Sequence, residues 1–117
     1  MSFQKDFIWC VGGAAAQQDG GYLNGGKELN IWDSPLCDGH IKNNDTCHVA
    51  CDHFHKWKED LGLLKELGVN SYRFSVSLAR IYPKDEYIVN EEGVKFYIDL
   101  VAELRRLGIE PICTLYH

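Results

Sequence analysis

Nowhere does this 117-residue chain carry the run of about 18 apolar residues that a membrane-spanning helix needs. Its opening, Met1-Ser2-Phe3-Gln4-Lys5-Asp6, is too polar for the apolar core of a secretory signal. Lysine and arginine never cluster and the net charge is −5, which excludes the basic footprint of a nucleic-acid binder. The five cysteines, at positions 10, 37, 47, 51 and 113, are odd in number and follow no disulfide framework. Without an export signal they read as reduced thiols, and the expected location is cytoplasmic. Length allows one domain at most. What the chain does have is apolar residues, 45% of the total, at a mean hydropathy of −0.27, the profile of a globular protein.

Phe7-Ile8-Trp9-Cys10-Val11 reads as a buried first strand, released into a tight loop by Gly12-Gly13. Residues 19–48 form a long irregular connection, rich in glycine, asparagine and aspartate, with Trp32 expected to anchor it to the body. From Val49 the period changes: Phe54, Trp57, Leu61, Leu64 and Leu67 mark one face of a helix that begins near Asp52 and stops at Gly68. In the next stretch Tyr72, Phe74 and Val76 alternate with Arg73, Ser75 and Ser77, the pattern of a strand, which should run into an ordered loop ending at Pro83. Asn90 is the expected cap of a second helix, with Val94, Tyr97, Val101, Leu104 and Leu107 on its apolar face and Gly108 as its stop. Ile109 to Tyr116 is a third strand, with Pro111 tolerated near its start.

Leu64-Lys65-Glu66-Leu67-Gly68-Val69 recurs as Leu104-Arg105-Arg106-Leu107-Gly108-Ile109, 40 residues later. Each copy is a helix end, a glycine stop and a buried strand, the mark of repeated βα units with a parallel sheet. In such sheets ligands bind beyond the carboxyl ends of the strands. Gln17, the segment after Ser75, and His117 all fall at that end. Arg73 lies inside an apolar run. A guanidinium stays charged at any working pH, so it forms either a structural salt bridge or a grip on an active-site carboxylate.

The matching stretches are Phe7-Ile8-Trp9, Ala14 to Gln17, Asn30-Ile31-Trp32-Asp33, Asp45, Val49-Ala50-Cys51-Asp52-His53-Phe54-His55 and Lys58-Glu59-Asp60. They continue with Lys65-Glu66-Leu67-Gly68, Tyr72-Arg73-Phe74-Ser75-Val76-Ser77, Arg80-Ile81-Tyr82-Pro83 and Thr114-Leu115-Tyr116-His117. In that order the chain closely resembles the N-terminal part of a family 1 glycoside hydrolase, the β-glucosidase and 6-phospho-β-glucosidase family. The resemblance implies a partial (β/α)8 barrel of class α/β: the first β-α-β-α-β units, with parallel strands and a long loop after strand one. Residues 1–117 are then an incomplete domain. It also implies a retaining mechanism, which needs a nucleophile and a general acid/base with carboxyl groups about 5–5.5 Å apart. In the family these glutamates follow strands four and seven, and the Asn-Glu-Pro and Glu-Asn-Gly type motifs that carry them are absent here.

By the same resemblance Gln17 and His117 bind the hydroxyls of one sugar ring, and Arg73 orients the nucleophile and favours its ionised form. Read alone, Gln17 is an ordinary loop glutamine. The implied partner of the full enzyme is a β-glucoside or 6-phospho-β-glucoside, with no cofactor, no metal, no nucleic acid and no membrane. Asp19 stands where the family usually has glutamate and Leu78 where it has tryptophan, while Cys10 and Gly12-Gly13 replace commoner residues.

Three alternatives stand beside this reading. Cys47, Cys51 and His55, with His48 and His53 near, are spaced so that a helix would stack them as zinc ligands. A non-catalytic product would leave its sheet edges open and oligomerise or aggregate through them. An autonomous glycosidase would have to use Asp19, Asp33, Asp52 or Glu92, which are scattered and lie in no catalytic motif. The chain by itself is expected to be inactive.

Overall fold

In the computed structural model, which describes residues 2–35, 38–84 and 88–117, three parallel strands lie in the order β1-β2-β3. They are β1 (Cys10–Gly12), β2 (Ser71–Ser75) and β3 (Glu110–Thr114). Four helices join them: α1 (Ala15–Gln18), α2 (His53–Leu67), α3 (Leu78–Ile81) and α4 (Glu91–Arg106). The expected β-α-β-α-β order and parallel sheet are therefore present, as an open sheet with β1 and β3 at its edges.

Side chains alternate across a strand, so β2 faces two environments. Tyr72 and Phe74 enter a core with Leu61 of α2 and Phe96, Tyr97, Leu100 and Leu104 of α4, closed by Ile109. Arg73 lies on the opposite face, in register with Gly12 and with Ile112, and Ile112 is 43% exposed. Among the described residues no helix of the core covers this second face.

Both copies of the repeat end their helices alike. Gly68 and Gly108 take φ of 79° and 75°, a region that costs glycine nothing, and their N–H groups donate to the carbonyls of Lys65 and Arg105. Lys65 Nζ then reaches the Leu107 carbonyl at 2.8 Å and ties one copy to the other.

Several expectations need correction. The first strand is not the buried run Phe7–Val11. It starts at Cys10, and Phe7, Ile8 and Trp9 are 39%, 64% and 48% exposed. Phe7 and Trp9 gather instead with Phe3 at centroid distances of 4.5 to 4.8 Å. Asn70 holds this segment in place, its side chain accepting from Trp9 N–H and donating to the Phe7 carbonyl. The segment after β2 is not a loop throughout: Leu78-Ala79-Arg80-Ile81 closes a helical turn. Leu67, assigned to the buried face of α2, is 68% exposed.

The buried face of α4 runs through Gly93, Phe96, Tyr97, Leu100 and Leu104, with Val101 and Leu107 half-buried against the core, rather than through Val94. Gly93 explains the rotation. A Cβ there would lie 2.2 Å from the Arg80 carbonyl oxygen, so the helix approaches α3 along its one bare position. Asn90 does precede α4, but its side chain caps nothing; its amide donates to the carbonyls of Gly25 and Arg80 at 2.7 and 2.9 Å. Trp32 is 53% exposed and does not anchor the long connection. That task falls to Lys27 and Asp33, a buried ion pair at 2.6 Å whose carboxylate also accepts from Asn30 N–H. Cys37 lies outside the described residues.

Candidate functional site

A cleft of about 700 Å³ opens at the carboxyl ends of the strands. Three segments build it: Ala14 to Gln17 after β1, Ser75 to Ala79 after β2, and Tyr116-His117 after β3. The long connection adds Leu29, Asn30, Ile31 and Trp32 to its wall. Gln17 and His117, 100 positions apart in the sequence, thus line one cavity. The remaining lining is mainly apolar, the usual make-up of a small-molecule site in which a few polar groups fix orientation.

The sequence folds this way because α1 is tied down at each point. A four-residue helix has no stability of its own. Its first N–H, of Ala15, donates to Ser75 Oγ at 2.8 Å, and Gln18 Nε2 donates to the Tyr72 hydroxyl at 2.5 Å. Gln17 is left exposed on the cleft side. Its amide both donates and accepts, which suits a vicinal diol.

Arg73 is placed apart from these two and does not line the cleft. Its Nε donates to Thr114 Oγ1 at 2.7 Å along the uncovered sheet face, and Nη1 reaches the Gly13 carbonyl at 3.5 Å. No ion pair engages it among the described residues, so the structural salt bridge is not how this charge is held.

Next to the cleft-lining segments is a group of buried polar side chains. Arg80 is fully buried, its guanidinium 3.9 Å from the Phe54 ring centroid and donating to the carbonyls of Asn24 and Gly20. Asp19 is 6% exposed, and Tyr97 donates its hydroxyl proton to Asp19 Oδ2 at 3.4 Å. Burial pushes the Asp19 carboxyl up to about 6, against the pull of Arg80, His53 and Lys27. Burial likewise pushes the Tyr97 phenol up. His53, also buried, bonds Asp60 through Nδ1 at 2.6 Å.

The zinc arrangement is not formed. Cys47 and Cys51 precede α2 rather than stacking on it, and His55 Nδ1 is taken by Asp52 Oδ1 at 2.5 Å. Among the described residues no three Cys, His, Asp or Glu side chains gather as a metal site. The four alternative carboxylates are equally dispersed: Asp33 pairs with Lys27, Asp52 with His55, Asp19 is buried, and Glu92 sits exposed in the first turn of α4. Sequence reasoning missed Trp32 as a cleft wall and the burial of Asp19. Two adjacent large apolar residues, Ile31 and Trp32, inside a polar connection were the available sign of the first; a lone acid in a glycine-rich turn gives no sign of the second.

Residues 1–117 match the family described as Glycosyl hydrolase family 1 over their whole length. A bifunctional β-D-glucosidase/β-D-fucosidase of Bifidobacterium breve is 44% identical over 117 residues, all of this chain and 25% of that protein. β-Glucosidase A of Acetivibrio thermocellus is also 44% identical, over all of this chain and 26% of its own length. Among solved structures, a β-glucosidase from Exiguobacterium marinum superposes with a TM-score of 0.93 at 40% identity, covering all of this chain and 26% of that one. The chain therefore spans about a quarter of the length of the relatives it matches. Backbone, sequence and the placement of the cleft agree on the first units of a (β/α)8 barrel, and the chain belongs to glycosyl hydrolase family 1.

Proposed function

We propose that these 117 residues form the first wall of the sugar site of a β-glycosidase that hydrolyses its substrate with retention. The observation that carries this is the single cleft at the strand ends lined by both Gln17 and His117. In this reading their amide and imidazole hydrogen-bond the hydroxyls of one sugar ring, of a β-glucoside or its 6-phospho form. Arg73, with one edge of its guanidinium on Thr114, orients and keeps ionised a nucleophilic carboxylate. That carboxylate and the general acid/base belong to residues outside this sequence, about 5–5.5 Å apart as retention requires. The uncovered sheet face and the two strand edges are where the remaining units of the barrel pack, and in their absence the chain associates through those edges. Exposed thiols at Cys10, Cys51 and Cys113 suit a reducing compartment such as the cytoplasm. Among the described residues no helix is long and apolar enough to cross a membrane.

The test is to titrate the chain, freed of host glycosidases, with nitrophenyl β-glucoside and its 6-phosphate while following side-chain NMR signals and nitrophenol release. The expected result is weak binding that moves the Gln17 amide and His117 ring signals, with no hydrolysis. Hydrolysis by the pure chain would overturn the placing of the catalytic carboxyls elsewhere. Saturating ligand that moves neither signal would overturn the cleft.

A further inference from the structure

Tyr97 of α4 stands behind the cleft, not in it, with its hydroxyl between two of the segments that form the walls. The backbone N–H of Ser77 donates to that hydroxyl at 2.8 Å, and the hydroxyl donates to Asp19 Oδ2 at 3.4 Å. Asp19 is the residue that closes α1, the short helix carrying Gln17; Ser77 opens the turn into α3 on the other wall. Asp19 and Tyr97 are 6% and 9% exposed, so water competes little for these bonds. Of the other ties of α1, those through Ser75 and Gln18 run to β2, and the Asp19 carbonyl accepts from the Phe54 N–H of α2 at 2.8 Å. The Asp19–Tyr97 contact is different in kind, because it joins α1 to α4 and, through one hydroxyl, to the Ser77 turn.

We propose that Asp19 and Tyr97 are a positioning pair: the chain of bonds Asp19 Oδ2, Tyr97 Oη, Ser77 N fixes the distance between the Gln17 helix and the Ser77 turn, and so the width of the cleft. Its consequence for sugar binding rests on the function proposed above. The chemistry explains the residue types. A phenol that accepts from an amide has its one proton left to give, and an ionised carboxylate is a pure acceptor. A bond to the charged form is the stronger one. The groups facing Asp19 are Tyr97 from α4, Arg80 from α3, His53 from α2 and Lys27 from the long connection. Arg80 and His53 attract its charge more strongly than the phenol does, but among the described residues none of the three basic groups forms a close ion pair with it, and the Tyr97 hydroxyl is the side-chain group that donates to it.

The experiment follows the Ser77 and Gln17 backbone amide signals of the 15N-labelled chain between pH 4.5 and 8, in wild type, Asp19→Asn, Asp19→Glu and Tyr97→Phe. The wild type is expected to show both signals moving with one midpoint near 6, where the Asp19 carboxyl titrates. Asp19→Asn abolishes both movements and Asp19→Glu restores them. In Tyr97→Phe the Gln17 signal still titrates while Ser77 stays fixed, a split that loss of general packing does not produce. A Ser77 signal that titrates without the Tyr97 hydroxyl, or one that never titrates in wild type, overturns the proposal. Binding of methyl β-D-glucoside should weaken about tenfold in Tyr97→Phe, the worth of one ordinary hydrogen bond. Equal affinities overturn the positioning role, whereas a wild type that binds no glucoside while Ser77 titrates overturns the sugar reading alone.

Discussion

Replacing Asp19 by asparagine should make this protein more stable at neutral pH than at acid pH, relative to wild type. In the folded chain the carboxyl is raised from 3.8 to about 6, because burial disfavours its charge more than Arg80 and His53 favour it. Between these values the folded state holds a proton that the unfolded state releases. The folded form therefore loses ground as pH rises through that window, from no penalty well below about 4 to its full penalty above about 6. Lifting the carboxyl from 3.8 to about 6 costs about 3 kcal/mol once both states are ionised. Asparagine has no charge to bury and removes this slope. Urea unfolding followed by circular dichroism, at half-unit steps from pH 4 to 7.5, gives the difference in stability between variant and wild type. Titrating groups that do not face Asp19 cancel in that difference. It should grow by about 2 kcal/mol in favour of Asp19→Asn between pH 4 and 7, since part of the penalty is already present at pH 4. A difference that is flat across the range, or that shrinks, would refute the claim that burial dominates the charge of Asp19.

Three further outcomes are expected. Leu104→Ala removes a side chain with no exposed surface from the centre of the core and should cost about 2–5 kcal/mol in the same urea experiment. Gly93→Ala and Gly62→Ala should have opposite signs. The first drives a Cβ to 2.2 Å from the Arg80 carbonyl and costs about 1–3 kcal/mol; the second meets nothing within 4 Å and gains up to about 1 kcal/mol of helix propensity. Asn90→Asp, which keeps a good cap but loses the amide donors to Gly25 and Arg80, should lower the thermal midpoint as Asn90→Ala does, since the side chain is a strut and not a cap.

The glycine stops at Gly68 and Gly108, the strand through Tyr72 and Phe74, and the parallel order were legible because each rests on local chemistry: a left-handed cap, an alternation, a repeat. The cleft was legible in outline for a topological reason, that strands of one sense bring their carboxyl ends together. What escaped depends on partners distant in sequence. The apolar stripe of α4 gives equal weight to Val94 and Phe96, and only the approach of the Arg80 carbonyl to Gly93 decides between them. Phe7, Ile8 and Trp9 carry the composition of a buried strand but lie where no layer covers them. For Arg73 the sequence did not show the threonine hydroxyl and the peptide carbonyl that hold one side of its guanidinium. Asp19 was visible as a departure from the family, while its burial was set by α2, α3 and α4 together.

The unequal lengths of the strand pairings set an order of opening. Three residue pairs join β1 to β2, and five join β2 to β3. The loop closed by the first pairing, from Cys10 to Ser71, is also longer than the one from Ser71 to Glu110. On both counts β1 is the strand released at least cost, and amide exchange should find it first among the three. Gln17 follows β1 by five residues. The wall of the cleft that carries the glutamine therefore belongs to the least persistent part of the sheet, and a ligand that engages Gln17 would be felt as slower exchange at Cys10 to Gly12 before anywhere in the core.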